Sequence, residues 1–291
     1  MKKVSTPYFQ EQENVNAYFQ SRSFYWRKIY ESSGVEAEII RDRHVAVLAW
    51  VDSLKLAPGS SVLEVGCGAG FMAVALAQRG FIVQAFDSSE AMIEQARLYA
   101  DESLTNDLLT LKVRDVYSLD FSDDSFDLVL AIGVIPWLER LEPAIQEMVR
   151  VIKPGGYILL TTANRMGLMS ILDPWRNPAL EPLKRRLKEV VSSIAHHNFS
   201  PSMTFHTNRF MDKTLARQRC IKTMSMTRGF GFSLRNRSFL PEPFGTKLHQ
   251  LLQRLADRNI PFFRSMGMAY FMLARKHVSH SYVRSMDGNG S

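Results

Sequence analysis

The segment Ser61–Gly70, SVLEVGCGAG, constrains the fold of this chain more than any other. A five-residue apolar run, Ser61–Val65, opens directly into Gly66, Gly68 and Gly70, and a helix-compatible run, Phe71–Arg79, follows. A strand that breaks at a glycine-rich turn and re-enters as a helix is the first half of a parallel βαβ unit. Glycines there let backbone approach a ligand where a Cβ would intervene. Open α/β sheets bind ligands beyond the carboxyl ends of their strands, where the strand order reverses. The dinucleotide fingerprint G-x-G-x-x-G/A is not met, because Phe71 occupies the place of its third small residue. Glu64, two residues before the first glycine, suits a ligand with cationic character better than a pyrophosphate.

The rhythm downstream repeats the unit. Phe81–Phe86, Leu109–Val113, Phe126–Ile132 and Tyr157–Thr162 read as strands. Helices fall between them: one capped at Asp87-Ser88-Ser89 and running to about Ala100, and one over Pro143–Ile152 closed by Lys153-Pro154-Gly155-Gly156. This predicts an α/β chain with a mostly parallel sheet and helices on both faces. Ahead of it, residues 36–56 read as a helix with Val45, Leu48, Ala49, Asp52 and Leu56 at spacings of three and four. Behind it the pattern is looser. A helix over 209–219, a strand Ile221–Thr227, an amphipathic helix 244–257 with Leu248, Leu251, Leu252 and Leu255 on one side, and a strand Met268–Ala274 are expected.

Composition enters through charge. Residues 1–163 carry 15 Lys+Arg against 22 Asp+Glu, and residues 164–291 carry 21 against 7. Such asymmetry fits either one face meeting something anionic or a solvated basic surface. Nucleic acid, an anionic lipid surface and an acidic small substrate are the anionic partners it admits. The run Lys184–Lys188 lies on a predicted amphipathic helix, Leu180–Ile194, readable as a membrane-surface or lid helix. Two cysteines, Cys67 and Cys220, make neither a disulfide framework nor a zinc site. With no apolar run behind Lys2-Lys3 and no long apolar stretch, the expected location is cytoplasmic.

Three strand ends carry acids. Glu64 precedes the first turn, Asp87 ends the second strand and Asp115 follows the third. An acid at the second strand's end is placed to accept both hydroxyls of a ribose, and one after the third to reach an adenine amino group. Each also has an ordinary use, in a cap or a turn.

The stretches VLEVGCGAG, QAFDSSEAMIEQAR, VRDVYSLDFSDDSFDLVLAIGVIPWL and VIKPGGYILLTTAN together resemble class I S-adenosylmethionine (SAM)-dependent methyltransferases, of the type found in ubiquinone and menaquinone biosynthesis. The resemblance implies a Rossmann-like, seven-stranded sheet with SAM as cofactor and S-adenosylhomocysteine (SAH) as product. It implies that Glu64, Gly66, Cys67, Gly68 and Gly70 contact the methionine part, that Asp87 holds the ribose, and that Ser88, Met92, Asp115 and Val116 lie about the adenine. Ala131 and Ile132 would form the floor. The opening YWRKIYESSGVEAEIIRDRH is similar to magnesium-protoporphyrin O-methyltransferases. That likeness implies Arg41 or Arg43 at the SAM carboxylate, and Tyr25 or Tyr30 closing over the cofactor.

The implied organisation is an N-terminal helical cap (1–45), a SAM-binding core (46–163), a substrate-capping insertion (164–208), the rest of the core sheet (209–276) and a polar tail (277–291). After the fourth strand stands Gly133-Val134-Ile135-Pro136-Trp137, not the polar [N/D]-P-P-[Y/F] clamp of enzymes that methylate amino groups, which argues against nucleic acid and for an apolar acceptor. O-methylation of a small lipophilic or aromatic metabolite is the favoured reading, with an RNA or protein methyltransferase and a non-catalytic partner protein as alternatives. Base candidates are His206 first, then His196, His197 and His44, with Tyr25 as a further catalytic candidate. No metal site is expected, since Asp120, Asp123 and Asp124 read as a surface loop. Ten of the 14 methionines fall after residue 163; Met224, Met226, Met268 and Met272 are expected in the core, and Met166, Met169 and Met203 in an adaptable apolar cap. A monomer or homodimer is expected.

Overall fold

The computed structural model describes residues 7–105, 107–173, 177–180, 203–231, 233–234, 237–238 and 240–278. His196, His197, the basic run 184–188 and the tail from 279 onward lie outside the described residues. Three helices lead in: α1 (Pro7–Ser21), α2 (Ser23–Lys28) and α3 (Val35–Ser53). The alternating core follows as β1 (Ser61–Val65), α4 (Phe71–Ala77), β2 (Ile82–Asp87), α5 (Glu90–Glu102), β3 (Leu109–Val113), β4 (Phe126–Ala131), α6 (Leu141–Arg150) and β5 (Ile152–Asn164). Then come α7 (Leu168–Leu172), β6 (Phe205–His206), α8 (Asn208–Arg217), β7 (Cys220–Arg228), the small hairpin β8 (Ser233–Leu234) and β9 (Arg237–Ser238), α9 (Glu242–Asp257) and β10 (Ala269–Lys276).

The sheet runs β3-β2-β1-β4-β5-β10-β7, with β6 added to the end of β5. Strand β1 pairs in parallel with β2 on one side and β4 on the other, so the chain reverses its direction of travel there. Only β10 runs antiparallel to its neighbours on this path. One core lies between the sheet and α6 and α8, through residues such as Ile145, Met148, Met211 and Leu215. The other lies under α3, α4 and α5, through Val47, Trp50, Val51, Leu76 and Ile93.

Several expectations change. Helix α3 buries Ala37, Ile40, Val47, Trp50 and Val51, whereas Val45 is 65% exposed. The run Val45-Ala46-Val47-Leu48-Ala49 is apolar all round, so spacing alone did not select the inward face. Lys153–Gly156 does not separate a helix from a strand. It is a bulge within β5, whose register with β4 jumps from Ile152 to Tyr157. Met272 is buried, but Met224 is 38% exposed because β7 is an edge strand, and Met268 lies just outside β10.

The largest correction concerns α9. Of the expected leucine row, Leu248 and Leu252 pack against Met169, Phe230 and Ala256, but Leu251 is 51% exposed, and the buried positions are Gly245, His249, Gln253 and Ala256. They face a backbone turn with amides to satisfy. Phe230 N–H donates to His249 Nδ1 (3.1 Å) and Gly229 N–H to Gln253 Oε1 (3.0 Å). With Nδ1 accepting, His249 Nε2–H points at Asp42 Oδ2 on α3, 3.3 Å away. Buried amides must be paired, and here that requirement places His249 and Gln253 at the centre of the inward face and leaves Leu251 outside it. We expect His249→Ala to cost about 2–4 kcal/mol by stranding the Phe230 amide. Leu251→Ala should stay within about 0.5 kcal/mol. Urea denaturation followed by circular dichroism distinguishes the two.

Candidate active site

The order of the sheet places the turn after β1 beside the turn after β4. Gly66 has φ +65°, and a Cβ added there would meet Val134 Cγ2 at 2.4 Å, so the two turns touch through a missing side chain. Gly70, at φ +83°, caps α4 and lies against α5, where an added Cβ would meet Ala96 Cβ at 2.8 Å. Gly68, at φ +52°, faces open space. Two of the three glycines therefore serve packing, and the third presents bare backbone.

Two carboxylates close this turn from beneath. Asp87 accepts the Gly68 N–H (3.0 Å) through Oδ2 and the Ser89 N–H (2.9 Å) through Oδ1, which ties the end of β2 to the glycine turn. Glu64 is 3% exposed, and its Oε2 has no hydrogen-bond partner. Burial raises the Glu64 carboxyl well above its ordinary range, and the charge of Asp87 raises it further. Asp87 is itself raised by burial. A buried carboxylate with an idle oxygen is costly unless something cationic completes it. Cys67 is buried and its thiol is pushed up by burial, so it serves the turn as a small apolar residue.

The remaining sequence candidates fall around this end of the sheet. Ser89, not Asp87, caps α5, accepting from the Met92 N–H at 3.4 Å, and Met92 is buried beneath. Asp115 is exposed, and its Oδ1 accepts the Tyr117 N–H in a turn, next to buried Val116. Ala131 is fully buried, and Ile132 follows it half-buried. Of the two arginines, Arg41 is occupied by the carbonyls of Tyr30 and Ser32. Arg43 instead lies over the turn after β4, with Nη1 3.1 Å from where a Gly133 Cβ would be. Tyr30 stacks on Phe71 at 3.9 Å and feels the charges of Arg43 and Glu64. Phe71 thus has a partner: it replaces the small residue of a dinucleotide turn with an aromatic contact to the N-terminal cap.

Tyr25 packs edge-on to Trp26, with its phenol pushed up to about 12 chiefly by burial and then by the charge of Glu36. His44 is held down at about 4 by burial and packs edge-on to Tyr30. His206 lies at the carboxyl end of β5, opposite Asn164, stacked on Phe210 at 5.1 Å. Asp120, Asp123 and Asp124 are ion-paired with Arg114, Arg150 and Lys276. Among the described residues, no group of three or more metal-ligating side chains comes together.

Sequence reading missed the part played by α1. Ser88 Oγ donates to Asn16 Oδ1 (2.8 Å), and Ser89 Oγ to Gln20 Oε1 (2.9 Å). Tyr18 stacks on Trp137 at 5.8 Å, and Phe19 meets the same ring edge-on at 5.2 Å. The helix therefore bridges from the end of β2 to the turn after β4, across the glycine turn. Its signal in the sequence is the density of aromatic residues there, with Tyr8, Phe9, Tyr18, Phe19, Phe24, Tyr25, Trp26 and Tyr30 within residues 8–33.

Residues 63–160 match the family model described as a methyltransferase domain. The ubiquinone biosynthesis O-methyltransferase of Paracidovorax citrulli is 33% identical over 118 residues, 40% of this chain and 50% of that protein. Its counterpart in Rickettsia typhi is 30% identical over 151 residues, 50% of this chain and 59% of that protein. The chain thus spans about half the length of the curated relatives it matches. The fold is shared with a magnesium protoporphyrin IX methyltransferase from Synechocystis, solved with bound SAH (TM-score 0.60, 19% identity, 91% of this chain and 99% of that one). Together with the sheet order and the glycine turn, these matches make residues 63–160 similar in sequence and in fold to methyltransferase domains.

Proposed function

We propose that this chain transfers the methyl group of SAM to an oxygen of a small lipophilic or aromatic metabolite by in-line displacement. One observation carries the reading: the fully buried Glu64, with an unpartnered oxygen, beside a glycine turn whose Gly68 opens onto free space. That donor set fits a compact cationic ligand. When bound, SAM supplies a methyl group already activated by the positive sulfonium. Glu64 and the backbone of Gly66–Gly70 would hold its methionine end, with Arg43 toward the carboxylate. Asp87 would hold the ribose, Ser88, Met92, Asp115 and Val116 would surround the adenine, and Ala131 and Ile132 would form the floor. The chain's contribution is then position and exclusion of water, with α1 and its contacts to Trp137 as the covering layer.

The acceptor side favours an apolar ring. Trp137, Tyr18 and Phe19 gather after β4, where amino-group methyltransferases carry a polar clamp. The O-methyltransferase relatives support oxygen as the target. His206 is our choice for the base that removes the acceptor hydroxyl's proton. Burial lowers its pKa below the ordinary 6.5, so it is neutral and able to accept at neutral pH.

Calorimetry with SAM and SAH on wild type and Asp87→Ala tests the core of this reading. Wild type should bind both and the variant neither tightly; a wild type that binds neither overturns it. Glu64→Gln should weaken SAM binding about tenfold to a hundredfold. The same change should raise the melting temperature of ligand-free protein at alkaline pH. The raised Glu64 pKa contributes stability that is present at acid pH and is lost as pH rises through the folded value, and glutamine removes that loss. For His206, kcat/KM should climb with pH through an ionisation below 6.5 and then flatten. His206→Gln should abolish that limb and lower kcat about 10²–10⁴-fold.

A further inference from the structure

Helix α9 packs Leu248 and Leu252 against the cluster of Met169, Phe230 and Ala256 and leaves other apolar side chains outside. Its inward line is His249 and Gln253, and its outward ridge carries Phe244, 58% exposed, and Leu251, 51% exposed. In the segment that follows, Ile260 is 37% and Phe262 55% exposed. Along one flank of the ridge stand Lys247, Arg254 and Arg258, all exposed and spaced by seven and four residues. Among the described residues none of the three pairs with an acid. The acids of this helix are engaged elsewhere, Glu242 by the Val35 N–H and Asp257 by Arg228.

A ridge of aromatic and aliphatic side chains edged by cations is the outer face of an interfacial helix. We propose that this face docks the protein on an anionic lipid bilayer. The charges choose the occupant. A second copy paired about a two-fold axis would set three cations against three. A nucleic acid would meet the cations but leave the ridge against water or phosphate. A bilayer with anionic headgroups takes both, the ridge at the acyl boundary and the cations among the phosphates. The location adds a second argument. Strand β7 leaves the sheet at Arg228 and β10 re-enters at Ala269, which pairs with Ala163 near the carboxyl end of β5. The excursion that carries α9 therefore lies at the same end of the sheet as the candidate site, and through His249 it grips α3, the helix of Arg43. The docking face stands on its own geometry and does not depend on the reaction proposed above.

The test is sedimentation of the full chain with vesicles of phosphatidylcholine alone and of phosphatidylcholine mixed with phosphatidylglycerol. Wild type should pellet only with the mixed vesicles, and less so as salt is raised. K247E/R254E/R258E should lower partitioning about a hundredfold or more. F244S/L251S should lower it while leaving melting temperature and SAH binding intact, since both side chains point outward. Leu251→Cys, labelled with an environment-sensitive dye, gives an independent readout, because Cys67 and Cys220 are buried. Its emission should shift to the blue on mixed vesicles. The proposal is overturned if wild type binds neither vesicle or if both multiple variants bind as wild type does. An unshifted dye overturns it too, as do a dimer that F244S/L251S dissociates and charge-dependent binding to single-stranded RNA without vesicle binding.

Discussion

Strand β1 has a parallel partner on each side, and the site follows from that position. Because β2 and β4 both pair with it, the turns at Gly66–Gly70 and Gly133–Trp137 open side by side at one end of the sheet. Their contact is made through absent atoms, with Val134 filling the place of a Cβ on Gly66. The same pairing sinks Glu64 beneath the turn, where water does not reach it. A carboxylate so placed is a standing cost to the fold, raised in pKa and short of a partner. Such a cost persists where a ligand relieves it.

Around that point the fold is a covering problem. Helix α1 reaches across the turn by two hydroxyl-to-amide contacts at Ser88 and Ser89 and by aromatic packing on Trp137. Helix α3 brings Arg43 over Gly133, and α9 holds α3 through Asp42 and His249. The polar interior of α9 is thus the mechanical link between the far end of the chain and the arginine at the turn. Its apolar exterior is a consequence, since one helix cannot turn both His249 and Leu251 inward.

The alternating core was legible because each signal there is local. Ser61–Val65 and Leu109–Val113 are apolar runs between breakers, and they form the strands at those bounds. The acids at three strand ends, the glycine turn and the missing amino-group clamp depend on spacing alone, and spacing survives in a sequence. The proposed base was less legible. His206 acquires its place only when β6 joins the end of β5, and that pairing links residues about 40 apart.

By itself the sequence determined the order of strands and helices from Ser61 to Thr162, the glycine turn between the first strand and its helix, and the acids placed about that turn. Hydrophobic period, glycine placement and acid spacing are short-range properties, and one chain segment contains each in full. Tertiary structure alone decided which face of α3 and α9 turns inward, which of Arg41 and Arg43 reaches the turn after β4, and that α1 covers the site. Those outcomes rest on pairing particular backbone amides and carbonyls, such as those of Gly229, Phe230 and Tyr30, with side chains 11 to 24 residues away, and on contacts of α1 with Ser88 and Ser89 about 70 residues away.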